Sequence, residues 1–81
     1  MSEIDWSHDA SVDARGLACP LPVLKARKAM KDLPVGSVLR VLATDPGAVK
    51  DFEAFCKTTG YRLVSSTQAG DILTFDIEKS V

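Results

Sequence analysis

Cys19 stands in the stretch GLACPLPVLKARKAM, between a glycine-led turn and two prolines, with an amphipathic basic run directly after it. A cysteine at or beside a helix N-cap meets the positive end of the macrodipole and its unpaired amides. Such cysteines fall from a pKa near ~8.5 into the range ~3.5–7.5. Pro20 and Pro22 carry no N–H, which leaves only the amides of Leu21 and Val23 in the first turn to meet the sulfur. Their loss tempers the expected depression, while the rings stiffen the turn and keep the sulfur projecting outward. Gly16, Pro20 and Pro22 are therefore read as a supporting motif, and the chemistry they suit is that of an exposed nucleophile. Arg15, Lys25, Arg27 and Lys28 are candidates for added positive charge near it.

The other residues with chemistry to offer read differently. Cys56 shares a helical stripe with Val49 and Phe52, the position of an inert core thiol. His8 lies in an aperiodic N-terminal stretch without a partner, so the sequence does not support a Cys–His pair. Two cysteines and one histidine with no CxxC pair are too few for a structural zinc site, and neither a metal nor a cofactor is expected. Lys25, Arg27, Lys28 and Lys31 form, most simply, a solvated helix face. Beside a reactive thiol they also suit a docking surface for acidic partners, with Arg15 at its edge and Leu21 and Leu24 as apolar anchors. ATDPG reads as a turn before a helix.

Several elements must position these residues. Residues 1–9, with Trp6 and His8, show no sustained period and read as a flexible tail ahead of a single domain over 10–81. SVDAR alternates as a short strand, and Gly16 opens a turn. From Pro20, Val23, Ala26, Met30 and Leu33 fall at helical spacing until Pro34 and Gly36 stop the run. SVLRVLA is a second strand, with Leu39, Val41 and Ala43 on one face. In AVKDFEAFCKTTG, Val49, Phe52, Phe55 and Cys56 make the apolar stripe of a second helix closed by Gly60. YRLVSSTQ and ILTFDIE, joined by AGD, read as a hairpin. The order β-α-β-α-β-β predicts an α+β two-layer sandwich, a mixed four-stranded sheet with two helices on one face and right-handed crossovers.

Composition limits what such a domain does. Hydrophobic residues at 46% and charged ones at 26% are ordinary for a globular chain and exclude disorder as the default. Ten basic against eleven acidic residues leave a net charge of −1, so direct nucleic-acid binding is not expected. No run approaches the ~20 apolar residues of a membrane span, and residues 1–10 lack a signal-peptide core. Sparse cysteines favour a reducing compartment, the cytoplasm.

VDARGLACPLPVLKARKAM resembles the TusA family (SirA/YedF-like) of small sulfur carriers, marked by a Gly-Leu-x-Cys-Pro-x-Pro run between a first strand and a first helix. The match extends through GSVLRVLATDPGAVKDFEAFCKTTGY and covers roughly residues 11–78. The resemblance implies a cytoplasmic carrier whose motif cysteine, here Cys19, holds sulfur as a persulfide. Its donor would be a cysteine desulfurase or rhodanese-type enzyme. The recipient would be an acceptor protein in tRNA thiolation, molybdenum-cofactor supply or sulfur oxidation. The carrier would work as a monomer and as a stoichiometric relay of the sulfurtransferase type, and partial positive charge would hold the persulfide as an anion. Two other readings stand beside it: a thiol redox protein using Cys19 with Cys56, and a non-catalytic interaction or RNA-binding module.

Overall fold

A computed structural model of the chain describes residues 9–81, so Trp6, His8 and most of the expected tail lie outside the described residues. Asp9 is already tied to the sheet. Its amide donates to the Val38 carbonyl at 2.7 Å, and its carboxylate accepts from the Val38 amide at 2.8 Å.

The elements follow as β1 (Ala10–Ala14), α1 (Leu21–Lys31), β2 (Val38–Ala43), α2 (Ala48–Thr59), β3 (Arg62–Ala69) and β4 (Ile72–Glu78). The strands make one mixed sheet in the order β1-β2-β4-β3, with β1 and β2 parallel and β4 antiparallel to both its neighbours. The β2–β4 register places Leu39, Val41 and Ala43 opposite Ile77, Phe75 and Leu73. Alternation puts all six on the same face, where they join Ala26, Met30, Phe52 and Phe55 in one core. Phe52 stacks on Phe75 with ring centroids 4.6 Å apart, which fastens α2 to the middle of the sheet. The opposite face carries Arg40, whose guanidinium grips the Asp76 carboxylate at 2.8 and 3.0 Å.

The α2 stripe shifts slightly from its expected members. Ala48, Phe52, Phe55 and Cys56 are buried, while Val49 is half-buried. Gly60 closes that helix in the left-handed region, at φ 85°, and its amide returns to the Cys56 carbonyl. The larger correction concerns α1. Its buried residues are Pro22, Ala26 and Met30, with Val23 and Leu33 only half-buried. Pro22 is thus a core side chain as well as a stiffener, because a ring that lacks an N–H costs nothing in the first turn and adds apolar surface.

Candidate functional site

Parallel pairing of β1 with β2 makes the site. The loop after β1 and the loop after β2 leave the same edge of the sheet side by side, at the carboxyl ends of adjacent strands. The first loop carries Gly16 to Pro20 and the second Thr44 to Gly47. Polar groups of the second hold the first in place. The Gly16 amide, in a turn that needs φ 81°, donates to Thr44 Oγ1 at 2.9 Å. The Cys19 amide donates to Asp45 Oδ2 at 2.5 Å, while Asp45 Oδ1 accepts from the Gly47 amide at 3.0 Å. These two amides hold the Asp45 carboxyl below its ordinary pKa. ATDPG is therefore more than a turn before a helix. It clamps the cysteine loop.

Cys19 is exposed and its thiol is free. Its Sγ–H donates to Asp51 Oδ2, from the first turn of α2. That hydrogen bond, then desolvation, then the negative charges of Asp51 and Asp45, push the thiol up to about 11. The expectation of a lowered pKa is overturned, and its physical reasons are plain. The Leu21 amide is taken by the Ala18 carbonyl at 2.9 Å and the Val23 amide by the Pro20 carbonyl at 3.1 Å, so neither is left for the sulfur. The charges acting on it are both carboxylates. The partial positive charge expected to hold an anionic sulfur is not what surrounds this thiol.

Of the expected cations, Arg15 and Lys25 are engaged at Asp13, and none is among the groups that shift the Cys19 thiol. Arg15 binds the Asp13 carboxylate through two nitrogens, at 2.8 and 2.9 Å, and holds that carboxyl well below the usual range. Lys25 Nζ donates to the Asp13 carbonyl at 3.0 Å. The basic run of α1 is accordingly split. Lys25 and Lys28 border a recess beside β1, whereas Arg27 faces α2 and lines a groove of about 290 Å³ with Pro20, Val23, Asp51 and Phe55. Lys31, Leu21 and Leu24 are exposed, the leucines at 47% and 51%, consistent with a surface that offers apolar contact.

Gly47 closes the site from the side of α2. A Cβ there would stand 3.6 Å from Cys19 Cβ and 3.8 Å from Cys19 Sγ. Cys56 behaves as its stripe predicts: it is a core residue at 6% exposure, and burial pushes its thiol up to about 11. Among the described residues no cluster of three His, Cys, Asp or Glu side chains is placed to hold a metal ion, and no helix is long and apolar enough to cross a membrane. Sequence reasoning missed Thr44, Asp45, Gly47 and Asp51. The signal for the first three was present in the parallel β1–β2 pair, which forces the two loops together. Nothing in the helical pattern marked Asp51, since it read as one more polar residue opposite the α2 stripe.

The class defined by fold and site is a small two-layer α+β domain that presents one exposed cysteine clamped between two adjacent strand-to-helix loops. Residues 10–79 match the family model described as sulfurtransferase TusA, and the chain belongs to that family. It is 51% identical over 72 residues to the sulfur carrier protein TusA of Allochromatium vinosum, spanning 89% of this chain and 95% of that one. It is 39% identical over 75 residues to the sulfur carrier protein TusA of Pseudomonas entomophila, spanning 93% and 94%. The crystal structure of a SirA-like protein from Desulfitobacterium hafniense shares the fold at a TM-score of 0.79 and 24% identity, covering 90% of this chain and all of that one.

Proposed function

We propose that the protein is a sulfur carrier that takes up sulfane sulfur as a persulfide on Cys19 and delivers it to an acceptor protein. The observation that carries this reading is the exposed, fixed Cys19 thiol in a domain of the TusA family whose other cysteine is buried. In loading, Cys19 Sγ attacks the outer sulfur of a donor persulfide. The donor's sulfur–sulfur bond breaks, its thiolate leaves, and a new sulfur–sulfur bond forms on Cys19 with no net oxidation. Delivery repeats the exchange with the carrier as donor, so the protein turns over once per sulfur. A cysteine desulfurase or a rhodanese-type enzyme is the donor this chemistry requires. Two unpaired thiols suit a reducing compartment, so the reading places the exchange in the cytoplasm.

Incubation with such a donor and its sulfur source, followed by intact-mass measurement, should show a gain of one sulfur atom that reductant removes. Cys19→Ser should abolish the gain and keep the fold, since its side chain is exposed. Cys56→Ser should load normally while losing stability, because a hydroxyl replaces a thiol in the core. Loading that survives Cys19→Ser, or that requires Cys56, would refute the assignment of the carrier role to Cys19.

A further inference from the structure

The one carboxylate bonded to the reactive sulfur points the wrong way for an activating base. A carrier that must attack a donor persulfide gains from a thiolate, yet here Asp51 accepts the Sγ proton and Asp45 adds a second negative charge one loop away. The ionisable groups facing the sulfur are Asp45 from the β2–α2 loop and Asp51 from α2. Arg27 on α1 lines the same groove as Asp51, but no ion pair joins the two. Arg15 and Lys25 are engaged at Asp13.

We propose that Asp51 is a latch on Cys19: its carboxylate keeps the sulfur of the free carrier in the thiol form, and the latch opens when a partner lays a cationic side chain against the Asp45–Asp51 pair. This rests on the carrier reading and names the chemistry of the partner surface that meets the cysteine. Pairing Asp51 with an incoming cation removes the acceptor that holds the Sγ proton and cancels the field that disfavours the thiolate. The proton then passes to the departing donor thiolate, so the exchange leaves one thiol and one persulfide, as it began. Away from partners the sulfur of the free carrier stays protonated and resists alkylation and oxidation. Asp51 is in this sense a positioning residue, since it acts through the nucleophile.

The test uses the full chain carrying Cys56→Ser, so that only Cys19 reports. The rate of alkylation by neutral iodoacetamide is followed from neutral to alkaline pH. In the protein with Asp51 intact the rate should climb with a midpoint near 11. Asp51→Asn, which keeps the shape and removes the charge, should move the midpoint down toward the ordinary thiol range. A fall of one to two pKa units multiplies the thiolate tenfold to a hundredfold but forfeits about half of that gain, on a logarithmic scale, in nucleophilicity. Alkylation at neutral pH should therefore rise roughly three- to tenfold. Asp51→Ala should shift the profile the same way and serves if the amide disturbs folding.

The partner's charge is probed with paired methanethiosulfonates, one bearing trimethylammonium and one sulfonate. The cationic reagent should modify Cys19 at least about fivefold faster than the anionic one, and Asp51→Asn should shrink that ratio. An unmoved midpoint, slower alkylation of the variants, or equal rates for the two reagents would overturn the latch. Donor loading of the same samples separates the two readings. Loading with an unmoved alkylation profile defeats the latch and leaves the carrier standing, whereas a shifted profile beside loading that survives Cys19→Ser upholds the latch and defeats the carrier reading.

Discussion

Gly47 lies against Cys19 at a backbone conformation, φ −68° and ψ −13°, that any residue adopts. The backbone therefore does not require glycine there, and the missing side chain leaves space beside the sulfur. Gly47→Ala should fold well and even gain about 0.4–1 kcal/mol, because alanine restricts the unfolded chain at a compatible site. The new methyl would rest in ordinary contact with Cys19 Cβ and Sγ, at 3.6 and 3.8 Å, on the side the sulfur presents to α2. Loading from a donor should slow several-fold while thermal stability holds or rises. Unimpaired loading would show that the added sulfur and the donor never use that space. The position of Cys19 itself was legible from its neighbours: a glycine turn before it, prolines after it, and no place in either apolar stripe. Its electrostatics were not. The sign depended on where the first-turn amides pointed and on a carboxylate 32 residues away, and neither leaves a local trace in the sequence.

Helix α1 is held at its two ends by different means, and only one of them could be read in advance. The prolines and the glycine turn announced the start. At the far end, carbonyls in and just past the last turn are met by a residue from beyond β4: Lys79 Nζ donates to the Met30 carbonyl, which also accepts from the Leu33 amide, and to the Leu33 carbonyl, both at 2.7 Å. A lysine there satisfies backbone acceptors and complements the negative end of the helix. Lys79→Met keeps the apolar stem and removes the charge. It should cost about 1 kcal/mol, which lowers Tm by roughly 4–8 °C in a domain this small. Loading of Cys19 should be unaffected, since the site lies at the opposite end of the helix. An unchanged Tm would mean that water replaces the ammonium without loss. The strands and helices were otherwise legible because their periods of two and 3.6 are printed in the order of apolar residues, as in Leu39, Val41 and Ala43 or Phe52, Phe55 and Cys56. Asp9 leaves no such mark, because a single acidic residue pairing with Val38 has no period to show.

At the scale of the molecule, both thiols are kept protonated for unrelated reasons, and that ties stability to alkaline pH. Asp51 raises Cys19 to about 11 through the hydrogen bond it accepts, and burial raises Cys56 to about 11 through desolvation. In the unfolded chain each thiol returns to the ordinary value near ~8.5. Between those values the unfolded chain has shed protons that the folded one still holds, so the native state binds more protons and stability must fall as pH rises. The contribution is fully present below the unfolded pKa and is lost as pH climbs through the folded one. Urea midpoints measured at neutral pH and at pH about 10 should therefore drop more for this protein than for a Cys19→Ser, Cys56→Ala double variant, with each single variant falling between. Other groups that titrate in that window are common to all four proteins and drop out of the comparison. The absolute midpoints of the Cys56→Ala proteins will be lower, because the substitution leaves a gap in the core, but the change with pH is what counts. Equal pH dependence in all four would mean that the folded protein does not hold either thiol proton more tightly than the unfolded chain. The latch and the packing account of Cys56 would then both lose their footing. A slope lost with Cys19→Ser alone would instead assign the whole effect to the sulfur beside Asp51.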